Sequence, residues 1–143
     1  MRAKAAWLVL LVATAAACFA ADELSVQLGW TYNKGGRRRD LAPTTTQYDV
    51  SGAAVIENVQ SIATNAGGEA LLMGDVTDPG FAWFQNLSTN DRVEIGCYDV
   101  NTNFVALMEL RSGEKAVAWL STAAPRALAY TNAVQLDYVI IQR

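Results

Sequence analysis

The chain has 143 residues, a net charge of −3 at pH 7 and no histidine. The missing histidine excludes Ser-His-Asp and Cys-His catalysis and every histidine-ligated metal site. Only two cysteines are present, which excludes thiolate zinc and iron–sulfur centres. No catalytic motif remains, so the sequence predicts a protein that is not an enzyme and that needs no cofactor or metal.

The first twenty residues have the pattern of an export signal. Arg2 and Lys4 precede an uncharged run of 13 residues at positions 5–17. That run is too short to cross a membrane but suits the apolar region of a signal peptide. Small residues at Cys18 and Ala20 predict a signal peptide over residues 1–20, cleaved before Ala21. The alternatives are a retained hydrophobic helix and a lipidated Cys18.

Cleavage at that point defines a mature chain of residues 21–143 with a different charge balance. It keeps nine basic and 14 acidic side chains, a net charge of −5. An acidic domain of this kind is not suited to bulk nucleic-acid binding. No uninterrupted apolar stretch of the mature chain is long enough to span a membrane. We therefore expect an exported protein, secreted or at the cell surface, with no nucleic-acid partner. The mature chain keeps one cysteine, Cys97, predicted to be a buried apolar thiol.

The mature chain begins with its clearest strand. Apolar residues from Leu24 to Tyr32 alternate strictly with polar ones. Gly35 and Gly36 then predict a turn, with Arg37, Arg38 and Arg39 in the same loop. Three adjacent arginines could bind an anion such as a phosphate or a sulfated sugar, and the alternative is a solvated loop.

Later segments also favour strands separated by turn residues. Residues 54–64 fit helical spacing as well, but their β-branched content and flanking glycines favour a strand. Further strands are predicted at residues 44–50, 81–87, 93–98, 104–110, 116–120, 127–130 and 134–141, and the short apolar segment 70–73 would make a tenth. Nine or ten strands spaced 8–12 residues apart are typical of an antiparallel sandwich. The predicted fold is a single all-β, jelly-roll-like β-sandwich over residues 21–143.

Several motifs have a chemical interpretation and a structural one. Residues 99–103 resemble the start of an EF-hand loop but lack its glycine and its final glutamate, so a hairpin turn is predicted. Asp75, Asp78 and Asp91 could share a cation only if their loops meet. Asn86 begins a formal glycosylation sequon. The tryptophans at positions 30, 83 and 119 could stack on sugars, but their apolar strands favour core packing.

Some predicted strands are apolar on both faces. Residues 81–87, 104–108 and 138–141 have this pattern, whereas a strand with one face on the core normally exposes polar residues on the other. The sequence therefore predicts an interface through Phe84, Val105 and Leu107 and a homo-oligomer or larger protein assembly.

The order of several segments resembles a group of small proteins encoded among tailed-bacteriophage structural genes. These segments are Gly74-Asp75-Val76, Pro79-Gly80-Phe81, Phe84-Gln85-Asn86-Leu87, Val93-Glu94-Ile95-Gly96, Leu110-Arg111-Ser112-Gly113-Glu114 and Leu136-Asp137-Tyr138-Val139-Ile140-Ile141. The resemblance covers about residues 54–143. It implies an all-β virion component of the capsid-decoration or tail-associated type, and it implies no catalytic residues.

The functional expectation is therefore a non-catalytic structural or assembly protein, resembling a phage virion surface component. The export signal departs from that family, because virion proteins assemble in the host cytoplasm. The alternative is a secreted β-sandwich module that binds a surface or a glycan, so the two expected locations are the cell exterior and the virion.

Overall fold

The computed structural model describes residues 24–121 and 124–143. The predicted signal peptide and Cys18 lie outside the described residues. Ten antiparallel strands and no helix are present in these ranges, which confirms the predicted all-β class. The strands are β1 Leu24–Lys34, β2 Arg37–Tyr48, β3 Val55–Ile62, β4 Glu69–Ala70, β5 Pro79–Asn86, β6 Val93–Tyr98, β7 Phe104–Leu110, β8 Lys115–Trp119, β9 Arg126–Ala129 and β10 Val134–Gln142.

The chain divides into two compact units between Val50 and Ser51. In the first unit β1 and β2 form a two-stranded sheet of their own. The sequence prediction placed these strands in the same domain as the rest, whereas the structure separates them. Gly35 and Gly36 have φ angles of +60° and +75°, the conformation that a two-residue hairpin turn requires.

The tight turn corrects the prediction of an arginine loop. Lys34 pairs directly with Arg37, and Asn33 pairs with Arg38, so the three arginines begin β2. Because both central turn residues are glycines, backbone pairing resumes at once and leaves no loop beyond them. Side chains alternate along a strand, so Arg38 points to one face of the hairpin and Arg37 and Arg39 to the other.

The second unit consists of two four-stranded antiparallel sheets, with strand orders β3-β10-β5-β8 and β4-β9-β6-β7. The pairings are nested: the first strand of the unit pairs with the last, β4 with β9, β5 with β8 and β6 with β7. Successive nested pairs alternate between the two sheets. One hydrophobic cluster draws side chains from both sheets, among them Tyr138 from one and Ile95 from the other.

Phe84 belongs to this core. Its exposed fraction is 0%, and its ring centre lies 6.4 Å from that of Tyr138. The prediction that Phe84 lies at an outer interface is therefore wrong. Burial alternates along β5, but alternation alone does not show which of two apolar faces points inward. Phe81 and Trp83 occupy the outer face instead.

A polar network is built into the same core around the hydroxyl of Tyr138. This hydroxyl donates to Oε1 of Gln60 at 2.9 Å and accepts from Nδ2 of Asn58 at 3.0 Å. Nε2 of Gln60 donates in turn to Oε1 of Glu69 and to the carbonyl of Ala70. Burial raises the pKa of Tyr138, so the phenol stays protonated and keeps its donor. The network ties β3 and β10 to the segment around β4.

Candidate interaction surfaces

The outer face of the sheet β3-β10-β5-β8 is largely apolar. Its strands bury one face in the core, and the residues between the buried positions point outward. One lateral row across the sheet runs Glu57, Val139, Trp83 and Val117. Beside it lie two further pairs, Val55 with Ile141 and Phe81 with Trp119, which are separated by a register shift between Ile140 and Gln142. We call the apolar members of this row and these pairs the outer apolar face: Val55, Phe81, Trp83, Val117, Trp119, Val139 and Ile141.

These side chains are accessible. Val55 is 60% exposed and Trp119 49%, and the other five are partly exposed. Trp119 therefore does not pack in the core, contrary to the sequence prediction, and Trp83 is only partly buried. A monomeric soluble protein rarely exposes a contiguous apolar patch larger than a few hundred Å² without a function for it.

Charged residues border this face. Glu57 lies in the central row, and Asp137 lies in the row beyond it, between Val59 and Gln85. Lys115 ends that row with its amino group 6.0 Å from the ring centre of Trp83. Two acids and one lysine give the surroundings of the face a net negative charge.

Val105 and Leu107 lie outside this face, on a strand of the other four-stranded sheet. Their strand, β7, is at one edge of the sheet β4-β9-β6-β7. They are 44% and 58% exposed, so both can contact a partner. The pairing with β6 shifts register between Ile95 and Gly96, which leaves Leu107 as an extra residue in β7. Such a bulge bends an edge strand and disfavours continuation of the sheet by another chain.

The hairpin of the first unit is amphipathic. Directly opposite residues of an antiparallel pair share a face, and Trp30 pairs with Leu41 while Leu24 pairs with Tyr48. We call the following residues the hairpin apolar face: Leu24, Val26, Leu28, Trp30, Tyr32, Leu41 and Tyr48. Trp30 is 55% exposed, so its predicted core position is also wrong.

The three arginines divide between the two hairpin faces. Arg39 pairs with Tyr32 and Arg37 with Lys34, so both arginines lie on the side of the hairpin apolar face. Arg38 lies on the polar side, where its Nε donates to Oδ2 of Asp40 at 2.7 Å. The structure therefore does not bring the three predicted anion-binding side chains together at one point.

A polar depression of about 470 Å³ opens among the loops of the second unit. The guanidinium of Arg92 stacks over the ring of Tyr130 at 3.6 Å and forms an ion pair with Glu109 at 2.9 Å. Arg111 contacts the same glutamate at 3.4 Å. Tyr130 is 58% exposed, so an aromatic ring and several planar polar groups border open solvent together. The sequence carried no signal for this cluster, because its members come from three separate segments.

The carboxylates that could have shared a cation lie with different partners. Asp78 forms an ion pair with Arg143 at 2.9 Å. Asp91 accepts from the backbone amides of Arg92, Thr131 and Asn132, and the bond from Asn132 is the main cause of its lowered pKa. In residues 24–121 and 124–143 no group of three or more acids or cysteines is placed to hold a metal ion.

The segment that resembled the start of a calcium loop is a hairpin turn. Oδ1 of Asp99 accepts from the backbone amides of Asn101 and Asn103, each at 2.8 Å. These bonds, with the one from Asn103 first, lower the pKa of Asp99. Thr102 completes the turn at a φ of +64°. Residues 99–103 therefore form a hairpin turn, as the sequence predicted, and the carboxylate of Asp99 caps it.

Asn86 is not available for glycosylation in the folded chain. Its exposed fraction is 0%, and its amide donates to the carbonyls of Asp91 and Leu110.

Cys97, in contrast, is a free thiol that is only partly buried. The described residues contain no helix long and apolar enough to cross a membrane. Comparisons of the chain with family models, curated protein sequences and solved structures find no match.

Proposed function

We propose that the protein is a non-catalytic assembly subunit of jelly-roll type. The observation that carries this proposal is the outer apolar face. Its apolar side chains occupy positions on a four-stranded sheet where polar residues are expected to face solvent. A neighbouring subunit is the simplest cover for such a surface, and a closed symmetric arrangement uses the same surface on every copy.

The fold supports this assignment by analogy. Nested antiparallel pairs that alternate between two sheets around one core are the arrangement of a jelly-roll sandwich. This architecture recurs in viral capsid proteins and in lectins. Fold alone does not establish function. Combined with the resemblance to phage structural proteins, it supports a virion surface component, and with the predicted export signal it supports a surface protein outside the cell.

The free energy of burying the outer apolar face limits how strongly this surface alone can hold two subunits together. Removing about 400 Å² of apolar surface from water contributes roughly 10 kcal/mol. Association costs about 4–15 kcal/mol in lost freedom of the partners. The outer apolar face alone therefore supports weak association, and a stable assembly needs a second contact.

The oligomeric state tests the proposal. We expect the purified chain to scatter light as an oligomer at micromolar concentration and the V139E variant to dissociate, because Val139 lies in the central row of the face. V100E is the matched control, since the same change falls on a side chain that is 97% exposed in a turn. L107E tests the edge of the other sheet. A wild-type chain that stays monomeric throughout this concentration range would exclude the proposal.

The depression at Tyr130 favours a second candidate function, the binding of a saccharide. Sugar rings stack on exposed aromatic rings while flanking polar groups bond to their hydroxyls, and Arg92, Glu109 and Arg111 supply such groups here. We expect a positive signal on a glycan array that Y130A abolishes. Y98A is the matched control, because Tyr98 carries Arg126 over its ring at 4.0 Å but lies outside the depression.

A further inference from the structure

We propose that the hairpin of one copy packs its apolar face on the outer apolar face of a second copy, and that the exchange is reciprocal. This inference rests on the proposed function as an assembly subunit and names the two surfaces that meet. The first observation is the exposure of the hairpin. All twelve residues of β2 are exposed, and so are nine of the eleven residues of β1.

A two-stranded hairpin without a covering surface is at best marginally stable in water. This hairpin nevertheless extends for eleven and twelve residues per strand. Its apolar residues lie on one side, and polar residues such as Gln27, Thr31 and Gln47 lie on the other. Such a division is typical of a strand pair with one face on a hydrophobic surface and the other in solvent.

The charges of the two surfaces are complementary. Residues 24–50 carry four basic and two acidic side chains, whereas residues 51–143 carry five basic and ten acidic ones. On the hairpin, Arg37 and Arg39 lie beside the apolar residues, and on the sheet Glu57 and Asp137 border the outer apolar face. Packing the two apolar surfaces together therefore brings opposite charges to the same border, which favours this pairing over contact between two like surfaces.

The dimensions also agree. The apolar part of the hairpin is about 30 Å long and about 10 Å wide, and a four-stranded sheet is about 19 Å wide. A hairpin thus covers about half of the sheet, with packing at the ordinary distance between stacked sheets. Two reciprocal contacts, each burying about 300 Å² on both partners, remove about 1,200 Å² from solvent. That total lies at the lower end of stable interfaces.

Disulfide crosslinking between two differently tagged copies tests the pairing. Both copies carry C18S and C97S; one adds L28C in the hairpin apolar face and the other adds V139C in the outer apolar face. We expect oxidation of the mixture to give a heterodimer that carries both tags. T31C replaces L28C as the control, because Thr31 lies on the polar side of the hairpin, and it should give no heterodimer. L41C with V117C repeats the test should the first pair fold poorly.

The outcomes separate this inference from the proposed function. An oligomer that forms without the heterodimer crosslink overturns the hairpin exchange and leaves the assembly function standing. A monomer without crosslink overturns both, and it would mean that the hairpin apolar face is covered within its own chain or by a different protein.

Charge exchange gives an independent readout. We expect R37E with R39E to raise the dissociation constant of the assembly about tenfold. Combining these changes with E57R and D137R should restore most of the affinity. R38E is the control, because Arg38 points to the polar side of the hairpin. Equal losses from R38E and from the double change, without rescue, would contradict the proposed pairing.

Discussion

The side-chain amide of Asn86 donates a hydrogen bond of 3.0 Å to the carbonyl oxygen of Leu110, at the end of another strand. The same amide group donates to the carbonyl of Asp91 at 2.8 Å, and its oxygen accepts from the backbone amide of Ser88. One buried side chain therefore fixes both the turn that follows β5 and the end of β7. The two sheets meet at this point, because β5 and β7 belong to different ones.

Replacing Asn86 with Ala should lower the free energy of unfolding by about 2–4 kcal/mol, because it leaves two carbonyls and one amide buried without their partners. Urea denaturation measures the change. N90A is the control: Asn90 is exposed in the same turn, and its side chain makes no hydrogen bond in the described structure, so its effect should stay within about 0.5 kcal/mol. Equal effects of the two changes would contradict the role given to Asn86.

Removing the Tyr138 hydroxyl tests the polar network in the core. Y138F leaves Nδ2 of Asn58 without an acceptor and Oε1 of Gln60 without one of its donors. We expect a loss of about 1–3 kcal/mol in thermal or urea unfolding. Y130F serves as the control, because Tyr130 is 58% exposed and water can replace any bond of its hydroxyl. A neutral Y138F would show that the network adds nothing to stability.

Stability should fall in acid through Asp91 and Asp99. Hydrogen bonds from backbone amides lower the pKa of both carboxyl groups. The bond from Asn132 has the largest effect on Asp91, and the bond from Asn103 has the largest effect on Asp99. A depressed pKa in the folded state stabilises the fold above the unfolded pKa of about 3.9, and the contribution is lost as the pH falls through the folded pKa. Unfolding free energies measured between pH 6 and pH 2 should therefore decrease, and D91N with D99N should flatten the profile. An unchanged slope in that double variant would contradict this assignment.

Gly96 should tolerate no side chain. A Cβ at this position would meet the carbonyl oxygen of Val105 at the bulge between β6 and β7. We expect G96A to cost about 2 kcal/mol or more, since backbone atoms on both sides must shift. Gly113 offers the comparison: it has open space around it but a φ of +74°, so G113A should cost only about 1 kcal/mol. Differential scanning calorimetry of both variants measures the two losses, and the loss from the steric clash in G96A should exceed the loss from backbone strain in G113A.

Alternation alone predicted most of the strands. Residues 104–110 match β7 in full, and the strand over Val134–Gln142 differs from its prediction by one residue. The ambiguous segment 54–64 is a strand because Val134 to Ile141 pair along nearly its whole length. These successes share a physical reason: side chains alternate with a period of two wherever one face of a strand is buried.

Alternation could not decide which apolar face lies inside. Phe84 and Trp83 are adjacent, bulky and apolar, and only the pairing of β5 with β10 and β8 places one in the core and the other outside. The depression at Tyr130 was equally beyond prediction, because it depends on contacts between residues far apart in sequence. The loop predicted for the arginine segment is wrong for a local reason. Gly35 and Gly36 allow a turn of only two residues, so the arginines begin a strand.

Residues 51–143 should fold without the hairpin. Every residue of the hydrophobic core cluster, from Ile62 to Ile140, lies in this part of the chain, and both four-stranded sheets are complete within it. A fragment of residues 51–143 should therefore unfold cooperatively, whereas a peptide of residues 24–50 should lack stable β-structure, because a lone hairpin buries too little surface. Circular dichroism of both pieces measures this. A fragment 51–143 that stays unfolded would show that the hairpin contributes to the core stability, and a folded peptide 24–50 would remove the need for a covering partner.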